Sequence, residues 1–164
     1  GRAMRDTSLD RLSDPFLWAR IQGAMLPIDE SGRSFARQLG EVTGLAPDDA
    51  ETLEAEYRRF LYLAALTPAP RQPLGPLRQA WEYHAGFEGY LFDFCPWVLE
   101  RHLPAVPVSK ITAPAYAATR IDYAAEFGAP PPAPFWPAPE PRIDPCAAFA
   151  VSAPAQAATG APAP

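Results

Sequence analysis

The two histidines of this chain, His84 and His102, are the side chains best suited to chemistry. His84 stands four residues before Glu88, so on a continuous helix the imidazole and this carboxylate would share a face, whereas Glu82 would point away. Imidazole and carboxylate groups are ligands that zinc and similar divalent cations accept. These spacings give one functional hypothesis, a metal-binding enzyme of unknown reaction whose metal ligands are His84, Glu88 and His102.

Cys95 offers another kind of chemistry, because a thiol beside either histidine could form a pair of nucleophile and base. It precedes Pro96 in an aromatic-rich run, however, and an apolar setting makes a thiol inert, so we expect Cys95 in the core. The sequence has neither a G-x-S-x-G motif nor a phosphate-binding glycine loop. We favour the plainer interpretation of the histidines, as half-buried side chains that bond to backbone or carboxylate partners.

The aromatic residues indicate a different function, because one small core does not need all of them. The surplus consists of Trp18, Tyr62, Tyr83, Phe87, Tyr90 and Trp97. An exposed aromatic patch usually marks a surface that binds a protein. We therefore expect a non-enzymatic accessory or interaction module, or a subunit of a larger assembly, that binds another protein or a second copy of itself. The candidate contact residues are Trp18, Tyr83, Phe87, Tyr90, Phe135 and Trp136.

A third hypothesis is a small apolar ligand bound between helices, which any helical bundle can accommodate. We expect its cavity to be lined by Phe92, Trp97 and Tyr116. The discriminating observation is whether these three side chains meet around one space.

The charge balance argues against two classes of partner. The net charge is −5, the one lysine is Lys110, and no run of basic residues occurs. Nucleic acids and anionic membrane surfaces bind clustered cations, so neither is expected as a partner. No apolar run approaches the ~20 residues of a membrane helix, so membrane insertion is not expected either. Cys95 and Cys146 form no C-x-x-C pair, and free thiols suit the reducing cytoplasm.

Six helical segments are expected to position these residues, which predicts an all-α fold. Helix-start residues precede Pro15, Phe35, Pro47, Leu77 and Ala113, and Gly44 and Gly128 suit helix ends. In four of these helices the apolar spacing predicts an inward face. The residues expected to be buried there are Phe16, Leu17, Ile21, Ala24 and Met25, then Phe35, Leu39 and Val42, then Ala50, Leu53, Tyr57, Phe60, Leu61 and Ala64, and later Ala117, Ile121, Ala124 and Phe127.

The remaining helical segment, from Tyr90 to Arg101, is the most apolar stretch of the chain. A kink is expected at Cys95-Pro96, because proline removes a hydrogen-bond donor from a helix. We expect this segment at the centre of the domain. Its apolar side chains are Leu91, Phe92, Phe94, Trp97, Val98 and Leu99.

The distribution of proline divides the chain, since half of the 22 prolines follow Ala129. The sequence predicts a polyproline II segment at residues 130–134, which we call the strap. Phe135 and Trp136 are expected to anchor the strap on the domain. Beyond Pro145 the chain is rich in Ala, Pro, Ser, Thr and Gly, which is typical of disorder. The sequence thus predicts a helical domain at 8–145, a compact bundle of five to six helices with its strap, and a disordered tail at 146–164.

Several motifs occur in an order that resembles the glycine-rich domain-containing protein family, a domain of unknown function found in bacteria and plants. They cover about residues 14–143. They are the octapeptide Glu56–Leu63, Trp81 with His84, Cys95, His102, the tyrosine-bearing stretch Tyr116–Tyr123, Phe127-Gly128, Pro130-Pro131 and Trp136-Pro137. The resemblance implies a bacterial protein and a fold, but no reaction.

The chain also departs from the family pattern. The family has His-x-His after the tryptophan, where this chain has Glu82-Tyr83-His84, and a His-His pair where this chain has Arg101-His102. No glycine-rich tract follows. If the histidines of the family bind a ligand, this chain has kept half of them, which argues against the metal-enzyme hypothesis.

Overall fold

The computed structural model describes residues 11–139. Between residues 15 and 127 the chain forms five α-helices and one π-helix, and no strand occurs in the described range. The α-helices are α1 (Pro15–Gly23), α2 (Phe35–Thr43), α3 (Pro47–Leu66), α4 (Pro76–Ala85) and α5 (Ala113–Phe127). The π-helix (Tyr90–Leu99) and a 3₁₀ turn (Val108–Lys110) lie between α4 and α5. The predicted all-α helical bundle is confirmed, and the predicted tail, 146–164, lies outside the described residues.

Local side-chain chemistry sets the helix boundaries. The side chains of Asp14, Ser34 and Thr112 accept hydrogen bonds from backbone N–H groups in the first turns of α1, α2 and α5. Gly44 and Gly128 end α2 and α5 in the left-handed region, with φ of 81° and 75°, which other residues rarely adopt. Because these signals are local, the sequence predicts the helix ends well.

The longest helix, α3, is the centre of the fold and packs against every other helix of the bundle. Its buried positions cover most of its circumference, as in a helix surrounded by protein. They are Ala50, Leu53, Glu56, Tyr57, Phe60, Leu61, Tyr62, Leu63 and Ala64. The structure therefore gives the central place to α3, and the expectation that the Tyr90–Arg101 segment occupies the centre is wrong.

Several side chains predicted to be buried are exposed: Phe16, Met25, Val42, Ala124 and Ile121. Helix α1 ends at Gly23, so Met25 no longer follows its helical period. The buried face of α5 includes Tyr116, Thr119, Tyr123 and Glu126 rather than the alanine and isoleucine stripe. Polar partners on other elements, rather than apolar spacing, decide how α5 is rotated.

The π-helix explains the other errors of burial. Its hydrogen bonds run over five residues rather than four, so its turn is wider than an α-helical turn. Buried side chains accordingly recur at intervals of four to five residues, at Tyr90, Phe94, Cys95 and Leu99. Leu91, Phe92 and Trp97, which were expected in the core, fall on the outer side. Pro96 lies inside this helix, where it has no N–H to donate.

The proline strap closes the bundle as predicted. Phe135 and Trp136 are buried, and Trp136 stacks against Tyr116 of α5 at a ring distance of 6.4 Å. Arg120 donates from Nη1 to the carbonyl oxygen of Trp136 at 2.6 Å, and the Tyr116 hydroxyl donates to that of Pro137. Across residues 11–139, no helix has both the length and the apolar character that crossing a membrane requires.

Replacing Leu17 by alanine is expected to destabilise the protein far more than the same change at its neighbour Phe16. Leu17 is 3% exposed and Phe16 is 78% exposed. A buried Leu→Ala change leaves a cavity and costs about 2–5 kcal/mol, whereas surface changes stay within about 0.5 kcal/mol. Urea unfolding of L17A and F16A measures both. Equal losses of unfolding free energy would contradict the orientation of α1.

Candidate functional site

His84 lies in the interior of the bundle, at the inner side of α4, and is 1% exposed. Its Nδ1 atom is 2.7 Å from the hydroxyl of Tyr57 on α3. Four aromatic rings surround the imidazole with centroid distances between 4.7 and 5.6 Å, and all approach it edge to face. They belong to Phe35, Tyr57, Tyr90 and Phe94.

This setting keeps the His84 imidazole and the Tyr57 hydroxyl uncharged. Burial, together with the positive charge of Arg58, lowers the pKa of His84 from 6.5 to about 3. Burial also raises the pKa of Tyr57 well above 10.0. Near neutral pH the site is therefore a hydrogen-bonded pair of neutral rings. Protonating His84 or deprotonating Tyr57 would place a charge in the apolar core.

The three predicted metal ligands are not brought together. Within residues 11–139, no group of three or more His, Cys, Asp or Glu side chains is arranged to hold a metal ion. Helix α4 ends at Ala85, so the shared helical face assumed for His84 and Glu88 does not exist. Glu88 and His102 are exposed, while His84 is buried. Cys95 lies in the core as expected, where burial raises the pKa of its thiol.

Three of the six predicted contact aromatics are wrong, because Tyr90, Phe135 and Trp136 are buried. Tyr90 accepts a hydrogen bond from Trp81 Nε1 at 2.8 Å and donates to the carbonyl oxygen of Leu103 at 2.6 Å. Because a buried O–H or N–H group needs an acceptor inside the protein, these hydrogen bonds fix Tyr90 in the core. The other three, Trp18, Tyr83 and Phe87, are half-buried and pack against the core.

Apart from Phe16 on α1, the exposed aromatic side chains of residues 11–139 are on the π-helix. Phe92 is 72% exposed and Trp97 is 76% exposed. Trp97 borders a groove of about 360 Å³ between the chain that follows α1 and the π-helix. We call it the Trp97 groove, and its lining includes Met25, His84, Phe87, Asp93, Phe94, Trp97 and Val98. The apolar spacing of the sequence could not reveal the groove, because an apolar helix at 90–101 predicts that Phe94, Trp97 and Val98 lie in the core.

Two arginines hold the walls of the Trp97 groove in place. Arg20 on α1 donates from Nε to the carbonyl oxygen of Val98 at 2.8 Å. Arg58 on α3 donates from Nη1 to the carbonyl oxygen of Ala24 at 2.9 Å, which fixes the chain directly before Met25. Both groove walls are thus tied to the bundle by charge-assisted hydrogen bonds, which are stronger than neutral ones.

The surroundings of the Trp97 groove are acidic. Asp93 lies in the groove lining, and Glu88 and Asp93 together border a shallow depression beside Phe92. Both carboxylates are exposed, and neither forms an ion pair inside the described range. The groove therefore presents an apolar surface with a negative rim.

A second polar cluster, around Glu56 of α3, is satisfied internally. The Glu56 carboxylate accepts hydrogen bonds from Tyr123 and from Nε1 of Trp136, both at 2.9 Å. Arg59 donates to the same Tyr123 hydroxyl at 2.6 Å. With its partners supplied by α5 and the strap, this cluster holds the fold together, and a ligand would have to displace protein groups to enter it.

The cavity expected for a small apolar ligand does not form. Tyr116 is fully buried on α5 against Trp136, whereas Phe92 and Trp97 are exposed on the π-helix. The three side chains therefore do not enclose one space.

Comparison of the chain with protein-family models, with curated proteins and with solved structures finds no match. The resemblance to the glycine-rich domain-containing family stays a prediction.

Acidification from pH 7 to pH 5 is expected to reduce the free energy of unfolding through His84. The pKa of His84 is about 3 in the folded protein and about 6.5 when unfolded, so below pH 6.5 the unfolded chain binds the extra proton. Stability present above pH 6.5 is lost as the pH falls towards 3, by about 2 kcal/mol between pH 7 and pH 5.

Urea unfolding at several pH values measures this loss, which H84F should lack. The exposed His102 supplies the matched control, since H102Q should keep the dependence of the parent chain. Carboxylate titrations are common to all three proteins and cancel in the comparison. The same pH dependence in H84F and in the parent chain would refute the assignment.

Proposed function

We propose that this protein is a non-enzymatic interaction module that binds an apolar, positively charged segment of another protein in the Trp97 groove. The observation that carries the proposal is the outer side of the π-helix, where Phe92 and Trp97 are 72% and 76% exposed beside an apolar groove. Met25, 81% exposed, extends the same apolar surface on the opposite wall. Large apolar side chains grouped in this way are typical of contact surfaces.

The size of the exposed side chains supports a protein partner. Burying one large apolar side chain contributes about 1.5–3 kcal/mol, and tryptophan is among the residues that dominate binding energies at interfaces. Phe92, Trp97 and Met25 together could therefore anchor a segment that fills the groove. The partner must bring apolar side chains of its own, because the groove lining is largely apolar.

The charges around the groove select the partner. Asp93 and Glu88 leave two negative charges beside it, and the chain carries a net charge of −5. Lysine or arginine residues next to the apolar anchor would complement this rim and speed association. A symmetric pair of copies would bring like-charged rims face to face, so a second copy of the chain is the less suitable occupant.

The distribution of the chemistry-bearing side chains supports a binding role rather than a catalytic one. His84 and Cys95 are both buried, and burial lowers the pKa of the imidazole and raises that of the thiol. The imidazole is neutral but only weakly basic, and the thiol stays protonated, so neither suits a general base or a nucleophile near neutral pH. The free thiol of Cys95 also fits the reducing conditions of the cytoplasm, which we propose as the compartment.

A synthetic amphipathic helix of leucine and lysine is expected to bind, and its leucine–glutamate twin is not. Both peptides carry the same apolar residues, so the difference isolates the sign of the charge. W97A should weaken binding of the lysine peptide at least about tenfold, as hot-spot residues do. Isothermal titration calorimetry measures the affinities. I121A is the matched control, because Ile121 is exposed on α5, outside the groove lining.

Two results would overturn the proposal. One is equal binding of both peptides, or binding that W97A leaves unchanged. The other is a tryptophan fluorescence change, absent in W97A, that phosphatidylcholine vesicles cause and neither peptide does, which would assign the patch to a lipid surface.

Neutralising the acidic rim is expected to weaken the lysine peptide without abolishing its binding. D93N and E88Q should each reduce affinity by a few fold and flatten its dependence on salt, because exposed charges act mainly through long-range attraction. E51Q provides the control, since Glu51 is exposed at the start of α3 and outside the groove lining. Titrations at low and high salt test this, and an E51Q effect as large as that of D93N would point to net charge alone.

A further inference from the structure

The Tyr57–His84 pair determines which imidazole nitrogen carries the proton. Tyr57 is fully buried and keeps its hydroxyl hydrogen, since burial raises its pKa. Nδ1 of His84, at 2.7 Å, is the acceptor available to that hydroxyl among the described residues. A buried O–H without an acceptor costs about 1–3 kcal/mol, so the hydroxyl donates to Nδ1.

The proton of the neutral imidazole is therefore on Nε2. A neutral ring has one N–H, and Nδ1 serves as acceptor here. Inside residues 11–139, the Nε2 atom takes part in no hydrogen bond. The two ring nitrogens point in diverging directions, so Nε2 faces away from Tyr57. A buried side chain with one unused donor thus lies in the lining of the Trp97 groove.

We propose that Nε2–H of His84 is the polar anchor of the Trp97 groove and donates a hydrogen bond to a carbonyl oxygen of the bound segment. This inference rests on the proposed function and names the group that would fix the position of the partner. Binding sites of this kind combine an apolar lining with a few well-placed polar groups that orient the ligand. His84 is the buried residue in the lining that offers such a group.

The surroundings select a neutral acceptor. A carboxylate would have to pass Asp93 and Glu88, and Arg58, the cation that acts on His84, is already paired with Glu54. An ammonium group has no lone pair to accept with. A carbonyl oxygen of the peptide backbone, or of an Asn or Gln side chain, carries no charge and two lone pairs. His84 is 1% exposed in the free protein, so a carbonyl oxygen reaches Nε2–H only when the groove lining moves aside on binding.

The fixed orientation of the His84 ring supports this role. The His84 ring is fixed by the Tyr57 hydrogen bond and by the four surrounding rings, so it cannot turn to follow a ligand. A donor that is held rigidly before the partner arrives loses little entropy on binding. The anchor is thus expected to discriminate between segments that place an oxygen at this point and segments that do not.

Nuclear magnetic resonance of protein with ¹⁵N-labelled histidine rings tests the inference. In the free protein, His84 should show a proton on Nε2 and none on Nδ1. Addition of the leucine–lysine peptide should move the Hε2 resonance downfield and slow its exchange with water, as a new hydrogen bond does. The ring signals of the exposed His102 provide the internal control and should not change.

A variant gives the second measurement. H84F keeps an aromatic ring and removes the donor, so the peptide should bind about three- to tenfold more weakly, the effect of one net hydrogen bond. H102F should bind as the parent chain does. If H84F fails to fold, the ring signals of the parent protein decide the matter alone.

The outcomes separate the inference from the proposed function. Absence of any peptide binding would remove the proposed function and the inference with it. Peptide binding that depends on Trp97 and Asp93 but leaves Hε2 unchanged, with full affinity in H84F, would overturn the inference only. A proton found on Nδ1 instead of Nε2 would also overturn it, whatever the peptide does.

Discussion

The burial of the Glu56 carboxylate is the constraint on which the rest of the bundle depends. A charge in the interior is strongly unfavourable unless hydrogen-bonding partners surround it. Its partners are Tyr123 and Trp136, which follow it by 67 and 80 residues. α3 can thus be fully covered only when α5 and the strap have closed on it. This requirement turns Tyr123 of α5 inward. On the same face, Glu126 accepts from Tyr62 and Thr119 accepts from the backbone N–H of Gln72, although the apolar stripe of α5 lies elsewhere.

The same principle operates on another part of α3, where Tyr57 meets His84. There the polar atoms are neutral, and a ring of aromatic side chains replaces water around them. The two clusters differ, since Glu56 accepts from two internal donors while His84 retains a donor that no described residue uses. One satisfied cluster and one incomplete cluster on the same helix indicate different roles. The first closes the fold, and the second belongs to the lining of the Trp97 groove.

The sequence predicts features that depend on neighbouring residues and misses features that depend on distant ones. Asp14, Ser34, Gly44 and Gly128 act on their own helix ends, so the boundaries could be predicted. The anchoring of the strap could also be predicted, because two large aromatics beside prolines have few other ways to be buried. The rotation of α5 and the π-helical turn could not be predicted. The first depends on the distant partners Glu56, Tyr62 and Gln72, and the second departs from the α-helical period of 3.6 residues.

The π-helix is where this failure carries functional meaning. Ordinary helical spacing would give the Tyr90–Leu99 stretch an apolar face broad enough for the centre of the bundle, and α3 occupies that place instead. With the wider turn, the segment buries Tyr90, Phe94, Cys95 and Leu99 and leaves its other large side chains outside. Exposed aromatics do not stabilise an isolated chain, and π-helical turns are frequent at functional sites. Both facts have one explanation if a partner covers Phe92 and Trp97 and reaches the donor of His84 in the groove beneath them.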